Sequence, residues 1–82
     1  MYYVYVLRSL KDHQFYVGFT TDLQKRIVAH NAGKVFSTRS RRAFELIYYE
    51  ASNKQSDALR REKYLKSTYG KRYIKSRIRD DL

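Results

Sequence analysis

The chain has 82 residues and no cysteine. That length fits one domain, taken as residues 1–82, near the lower limit for a single core, and the absence of cysteine excludes disulfides and thiolate metal sites. Eighteen Lys and Arg against eight Asp and Glu give a net charge of +10, which points to a polyanionic partner, nucleic acid ahead of an anionic membrane. A hydrophobic share of 43% argues against disorder, and the N-terminal apolar run stops at Arg8, short of the about 20 residues a membrane span needs, so a soluble cytoplasmic protein is expected.

Residues 2 to 7 (Tyr2-Tyr3-Val4-Tyr5-Val6-Leu7) are aromatic and β-branched and predict a strand buried on both faces. The polar stretch Lys11 to Gln14 is turn material, and Phe15 to Phe19 is the second strand of a hairpin. Gly18 inside that strand marks a close approach of backbone or ligand. Thr21 or Asp22 caps a helix starting at Leu23, with Leu23 and Ile27 as its apolar stripe and Gly33 as its stop. Residues 34 to 42 are a basic loop holding Ser37, Thr38 and Ser40. Phe44 to Tyr49 is a third strand. Ser56 or Asp57 caps a second helix running to about Tyr69, interrupted by Gly70, and residues 71 to 79 form a third helix with Tyr73, Ile74 and Ile78 inward. The order strand, strand, helix, strand, helix, helix describes an α+β domain, a small three-stranded antiparallel sheet flanked by helices.

Glu62 stands out on residue chemistry alone. It falls three residues after Leu59 and three before Leu65, within a stripe of Ala58, Leu59, Leu65 and Tyr69. A carboxylate there must be paired, protonated or bound to a cation. An ion pair with Lys66 is the plain structural alternative. Arg26 and His30 lie four apart and project toward one side of the first helix, where an ordinary solvated arginine and a boundary histidine are the competing reading. Tyr5 and Tyr16 are strand aromatics whose rings could simply be core, although a buried phenol needs a hydrogen-bond partner.

In order, Tyr3-Val4-Tyr5, Tyr16-Val17-Gly18 ten residues later, Arg26-x-x-x-His30 and Glu62 resemble the GIY-YIG nucleases, metal-dependent phosphodiesterases, and in particular their small standalone bacterial members. The resemblance runs from about Tyr2 to about Lys66. It departs from the family at Tyr3, where the name-giving motif has glycine, and no asparagine follows Asn53, where larger relatives carry one. The resemblance implies a family fold in agreement with the α+β reading. It implies a catalytic set of Tyr5, Tyr16, Arg26, His30 and Glu62, with Glu62 the protein ligand of one Mg²⁺ or Mn²⁺ ion, hard cations suited to a carboxylate, water and phosphate oxygens. Arg26 would stabilise transition-state charge at the phosphate, Tyr16 would activate or orient water, Tyr5 would position it, and His30 would bond a tyrosine or the water or take its proton. Gly18 would let the phosphate or backbone come close, and Thr20 matches a small hydroxyl position of the family.

The expected activity is therefore structure-directed endonucleolytic hydrolysis of DNA, DNA ahead of RNA, linked to repair or processing. Nucleic-acid contacts are expected from Gly18 and Thr20, from Lys34, Arg39, Arg41 and Arg42 in the loop, and from Lys63, Lys66, Lys71 and Arg72. Residues 60 to 79 hold nine basic side chains, Lys75, Arg77 and Arg79 among them, and a single acid, Glu62. A monomer or weak homodimer is expected, with a targeting protein as a possible partner. The alternative is a non-catalytic basic nucleic-acid-binding protein on the same fold, though such a protein has no need of an acid amid nine basic residues.

Overall fold

A computed structural model describes residues 1–78. Its elements are β1 (Tyr2–Ser9), β2 (Phe15–Thr20), α1 (Leu23–Asn31), a 3₁₀ turn at Arg39–Arg41, β3 (Phe44–Ser52), α2 (Gln55–Leu65) and α3 (Thr68–Arg77). The α+β class and the order expected from the sequence are those of the molecule. β1 is central in an antiparallel sheet ordered β2-β1-β3.

A central strand is covered on both faces, which explains why Val4 to Leu7 are all buried. Val4, Val6 and Val17 pack with Ala58, Leu65 and Ile74 under α2 and α3. Tyr5, Leu7 and Phe44 pack on the opposite face with Tyr16, Leu23, Ile27 and Leu46, under α1. A bulge in β3 sets Val6 opposite Tyr48 but Leu7 opposite Leu46. The extra residue, Ile47, joins Tyr48 on the α2 and α3 side while Leu46 turns to the α1 side.

The ends of α1 agree with the sequence reading, and those of the second and third helices differ from it. Asp22 is the cap of α1, accepting from the Lys25 N–H at 3.1 Å. Helix α2 starts at Gln55, with Lys54 at the cap position and no capping side chain, so neither Ser56 nor Asp57 caps it. It also ends at Leu65, not near Tyr69. Ser67 caps α3 by accepting from the Gly70 N–H at 3.2 Å, and Gly70 lies inside the first turn of α3 instead of interrupting a helix. Its glycine is required by packing. A Cβ at residue 70 would sit 2.2 Å from the Tyr64 carbonyl oxygen and 2.4 Å from Leu65 Cα. The break at Ser67 rotates Tyr69 outward to 70% exposure, and Leu59 is 44% exposed, so the inward face is Ala58, Leu65, Gly70 and Ile74. Arg79, the expected end of the third helix, lies outside the described residues.

Candidate active site

Tyr5 on β1 pairs across the sheet with Gly18 on β2. The close approach expected at Gly18 is made by Tyr5 itself, because a Cβ at residue 18 would lie 2.3 Å from the Tyr5 hydroxyl oxygen. Glycine thus lets the ring lie flat across the neighbouring strand and carry its hydroxyl toward α1. Since Tyr5 is fully buried, Gly18→Ala is expected to displace the whole ring, at about 1–3 kcal/mol of stability. Urea denaturation of the variant measures that cost, and an unchanged midpoint would show that the ring has room to move.

The Tyr5 hydroxyl meets His30 Nε2 at 2.8 Å, and His30 Nδ1 meets Thr38 Oγ1 at 2.7 Å. All three side chains are buried. Arg26 Nε donates to the Tyr5 oxygen at 3.4 Å. Thr38 Oγ1 donates onward to the Val35 carbonyl at 3.5 Å. The His30 ring is also held edge-on between Tyr16, with centroids 5.0 Å apart, and Phe44 at 5.9 Å. Spacing on one helix therefore brings Arg26 and His30 to the same phenol, as the Arg-x-x-x-His reading anticipated.

Thr38 was visible in the sequence only as one hydroxyl in a basic loop, yet it holds His30. Its position follows from how the loop is fastened. Ser9 Oγ donates to the Arg41 carbonyl at 2.6 Å, Arg41 pairs with Asp12 at 2.8 Å, and Asn31 binds both backbone groups of Phe44 at 2.7 and 3.2 Å. The hairpin turn, the end of α1 and the start of β3 thereby fix residues 38 to 44. A residue eight positions from His30 with no helical register to it carries no local signal.

Burial, reinforced by the Arg26 charge, lowers His30 from its ordinary 6.5 to about 4. The imidazole is thus neutral near pH 7. Burial raises Tyr5, the Arg26 hydrogen bond opposes that rise, and the charges of Tyr16 and Glu62 add to it. Arg26 is raised chiefly by its bond to Tyr5, with Tyr16 adding to it. Because the unfolded chain binds the His30 proton more tightly than the fold does, stability is full above pH 6.5 and falls as the pH drops from 6.5 toward 4. The expected loss is up to about 3 kcal/mol, read as the extra acid sensitivity of wild type over His30→Gln in urea titrations. Parallel curves for the two proteins would contradict it.

Glu62 stands on α2, half-buried, four residues after Ala58 and three before Leu65 on the inward face. Its carboxylate pairs with Lys66 Nζ at 3.3 Å, a contact between partly exposed groups that is weak by nature. Its charge acts on Tyr5 from across the site. Among the described residues no group of three or more His, Cys, Asp or Glu could hold a metal by itself. A lone carboxylate still fits one hard divalent ion, since Mg²⁺ keeps most of its waters and takes its other ligands from substrate phosphate. A cleft of about 460 Å³ lined by Thr20, Thr21, Asp22, Lys25, Arg26 and Ala29 opens beside Arg26. Thr20 Oγ1 accepts from the Asp22 N–H at 3.1 Å, shaping the turn into α1 at the rim of that cleft.

Of the other basic side chains expected to meet nucleic acid, some are engaged within the fold. Arg41 is engaged by Asp12 and the Gln14 carbonyl. Arg42 lies against Gly33, whose φ is +75°, and donates to the Arg39 carbonyl at 3.3 Å. Lys34, Arg39, Lys63, Lys66, Lys71 and Arg72 are exposed. Among the described residues no helix is long and apolar enough to cross a membrane.

The arrangement agrees with what the chain is similar to. A model of the GIY-YIG catalytic domain matches residues 1–75. The UPF0213 protein SH2523 of Staphylococcus haemolyticus is 42% identical over 67 residues, covering 80% of each chain. A UPF0213 protein of Lactiplantibacillus plantarum is 47% identical over 64 residues, 74% of this chain and 62% of that one. The solution NMR structure of the UPF0213 protein BH0048 from Bacillus halodurans superposes with a TM-score of 0.57 at 38% identity, covering 93% of this chain and 84% of that chain. Sequence and fold thus converge, and the chain belongs to the GIY-YIG nuclease family, alongside its small UPF0213 members.

Proposed function

We propose that this protein is a divalent-metal-dependent endonuclease that hydrolyses phosphodiester bonds in DNA, directed by DNA structure and serving repair or processing in the cytoplasm. The observation that carries the reading is the bonded series Arg26–Tyr5–His30–Thr38. A purely structural aromatic cluster has no use for an arginine bonded to a fully buried tyrosine–histidine–threonine series.

The series has a direction. Arginine only donates, so the Tyr5 oxygen accepts from Arg26. At the far end Thr38 donates to the Val35 carbonyl, so it accepts from His30 Nδ1–H. The neutral His30 then keeps its lone pair on Nε2, facing the Tyr5 O–H. Both ring nitrogens are occupied, and any proton His30 takes must come through Tyr5. In the proposed hydrolysis water attacks phosphorus, the bond from phosphorus to the 3′ oxygen breaks, and the proton shed by the water leaves by way of the Tyr16 hydroxyl. Tyr16, partly exposed beside His30, orients that water and passes its proton to solvent, while the buried Tyr5, donating to Nε2 and accepting from Arg26, holds Arg26 in place. The departing 3′ oxygen takes a proton from solvent. Arg26 faces the phosphate and stabilises its gathered charge. A divalent ion bound at Glu62 would add charge neutralisation at the phosphate and the leaving oxygen.

Covalently closed circular DNA tests this directly, because it has no ends. Nicked circles are expected with Mg²⁺ or Mn²⁺ and none with chelator. Circles that stay closed with either metal, while linear strands shorten from their ends, would rule out endonucleolytic cleavage.

A further inference from the structure

The loop before Thr38 carries a side chain that the fold leaves unused. Phe36 is 81% exposed, the most exposed of the large hydrophobic residues among those described. It is also not bare, because the Arg39 guanidinium sits 4.8 Å from its ring centroid. One guanidinium covers one face, so the other face is open to solvent. The backbone beneath is held by the Arg39 N–H to the Val35 carbonyl at 3.0 Å and by the Thr38–His30 bond. Phe36 therefore stands on a held stretch of backbone, two residues from the group that holds His30, a separation of at most about 7 Å along the chain.

We propose that Phe36 and Arg39 form a stacking platform for an unpaired base within a few nucleotides of the phosphate being cut, so that this protein selects single-stranded or flap-like DNA at its active site. The proposal rests on the nuclease reading for the identity of the neighbouring site, and on the loop for its own argument. An exposed aromatic ring against Arg39, in a loop that also carries Lys34 and Arg42, suits a ligand that is both anionic and flat-faced. Arginine over one face polarises the ring and repels a cationic partner, which disfavours a basic protein. A base inside a duplex has both faces covered by its neighbours, so only an unpaired base can use the open face. At about 3.4 Å of strand per nucleotide, the platform lies within a few nucleotides of the His30 site.

The test is equilibrium binding by fluorescence anisotropy with chelator present, so that no strand is cut. Wild type, Phe36→Ala and Phe36→Trp are compared on a labelled single strand and on a blunt hairpin duplex of the same sequence. Phe36→Ala is expected to weaken single-strand binding by roughly 5- to 150-fold. Duplex binding and the slope of log K against log salt should not move, and Phe36→Trp should restore the single-strand affinity. Because the side chain is solvated, all three proteins should melt alike. Equal losses on both DNAs, no loss on the single strand, or a wild type that does not prefer single strands would each overturn the platform. Those results are separate from the fate of the nuclease reading, which is decided in Mg²⁺ by cleavage. A protein that never cuts but loses single-strand binding in Phe36→Ala would keep the platform and lose the enzyme.

Discussion

Glu62→Ala is expected to remove DNA cleavage, by about 10³-fold or more in a single-turnover rate, while leaving the fold and DNA binding in place. The magnitude follows from the several kcal/mol that a bound divalent ion contributes to a phosphoryl transition state, at about 1.4 kcal/mol per tenfold. Preservation of the fold follows from the surroundings. Among the described residues Glu62 pairs with Lys66, between groups that reach solvent, and alanine is the best helix former at a site within α2. Removing one negative charge from a chain of net charge +10 can only strengthen its attraction for a polyanion. Loss of cleavage with equal or tighter binding is therefore the signature of a metal ligand. A variant that melts several degrees lower and binds DNA poorly would instead assign Glu62 a structural part.

Arg26→Ala is expected to lower the cleavage rate by about 10²–10³-fold, the usual effect of removing one preorganised charge or donor from a transition state. Arg26 is only partly buried, and the Tyr5 oxygen it bonds keeps His30 as a partner when Arg26 is gone. The fold should therefore survive. Arg26→Lys should recover part of the rate, since it returns the charge without the planar fork that can hold Tyr5 and a phosphate oxygen together. Loss of Arg26 also removes the second of the two causes that depress His30, so the imidazole should titrate closer to its ordinary value in the variant, which a proton NMR titration reads. An unchanged cleavage rate in Arg26→Ala would detach it from the chemistry.

What the sequence discloses depends on the range of the forces that set each feature. The strands are legible because Tyr2 to Leu7 and Phe15 to Phe19 carry their burial pattern locally, and the start of α1 because Asp22 caps within three residues. The helix pair after β3 is misread because Gly70 looks like a stop. Only the contact with Tyr64 and Leu65 shows that its missing side chain makes room for a neighbouring turn. The same holds at Gly18, where an approach is legible but the approaching group is not. Arg26 and His30 are found by helical spacing together with the family resemblance. Thr38 is missed because its bond to His30 spans a loop whose path is set by Ser9, Asp12 and Asn31, residues with no pattern relation to it. The inward helix stripe is half right. Ala58 and Leu65 face the core as the period requires, whereas Leu59 and Tyr69 do not, because the chain turns at Ser67.

The central claim, that Arg26 and His30 bonded to Tyr5 form a hydrolytic centre with Glu62 as its metal ligand, is tested most directly by one experiment on the wild-type protein. End-labelled flap and branched DNA is incubated with excess protein in Mg²⁺ and in chelator. Each mixture is then divided between a native gel, which shows binding, and a denaturing gel, which shows cutting. Retarded DNA in both conditions with shortened strands only in Mg²⁺ is the predicted result. DNA retarded in both conditions and intact in both would contradict the claim and leave a nucleic-acid-binding protein built on a nuclease fold.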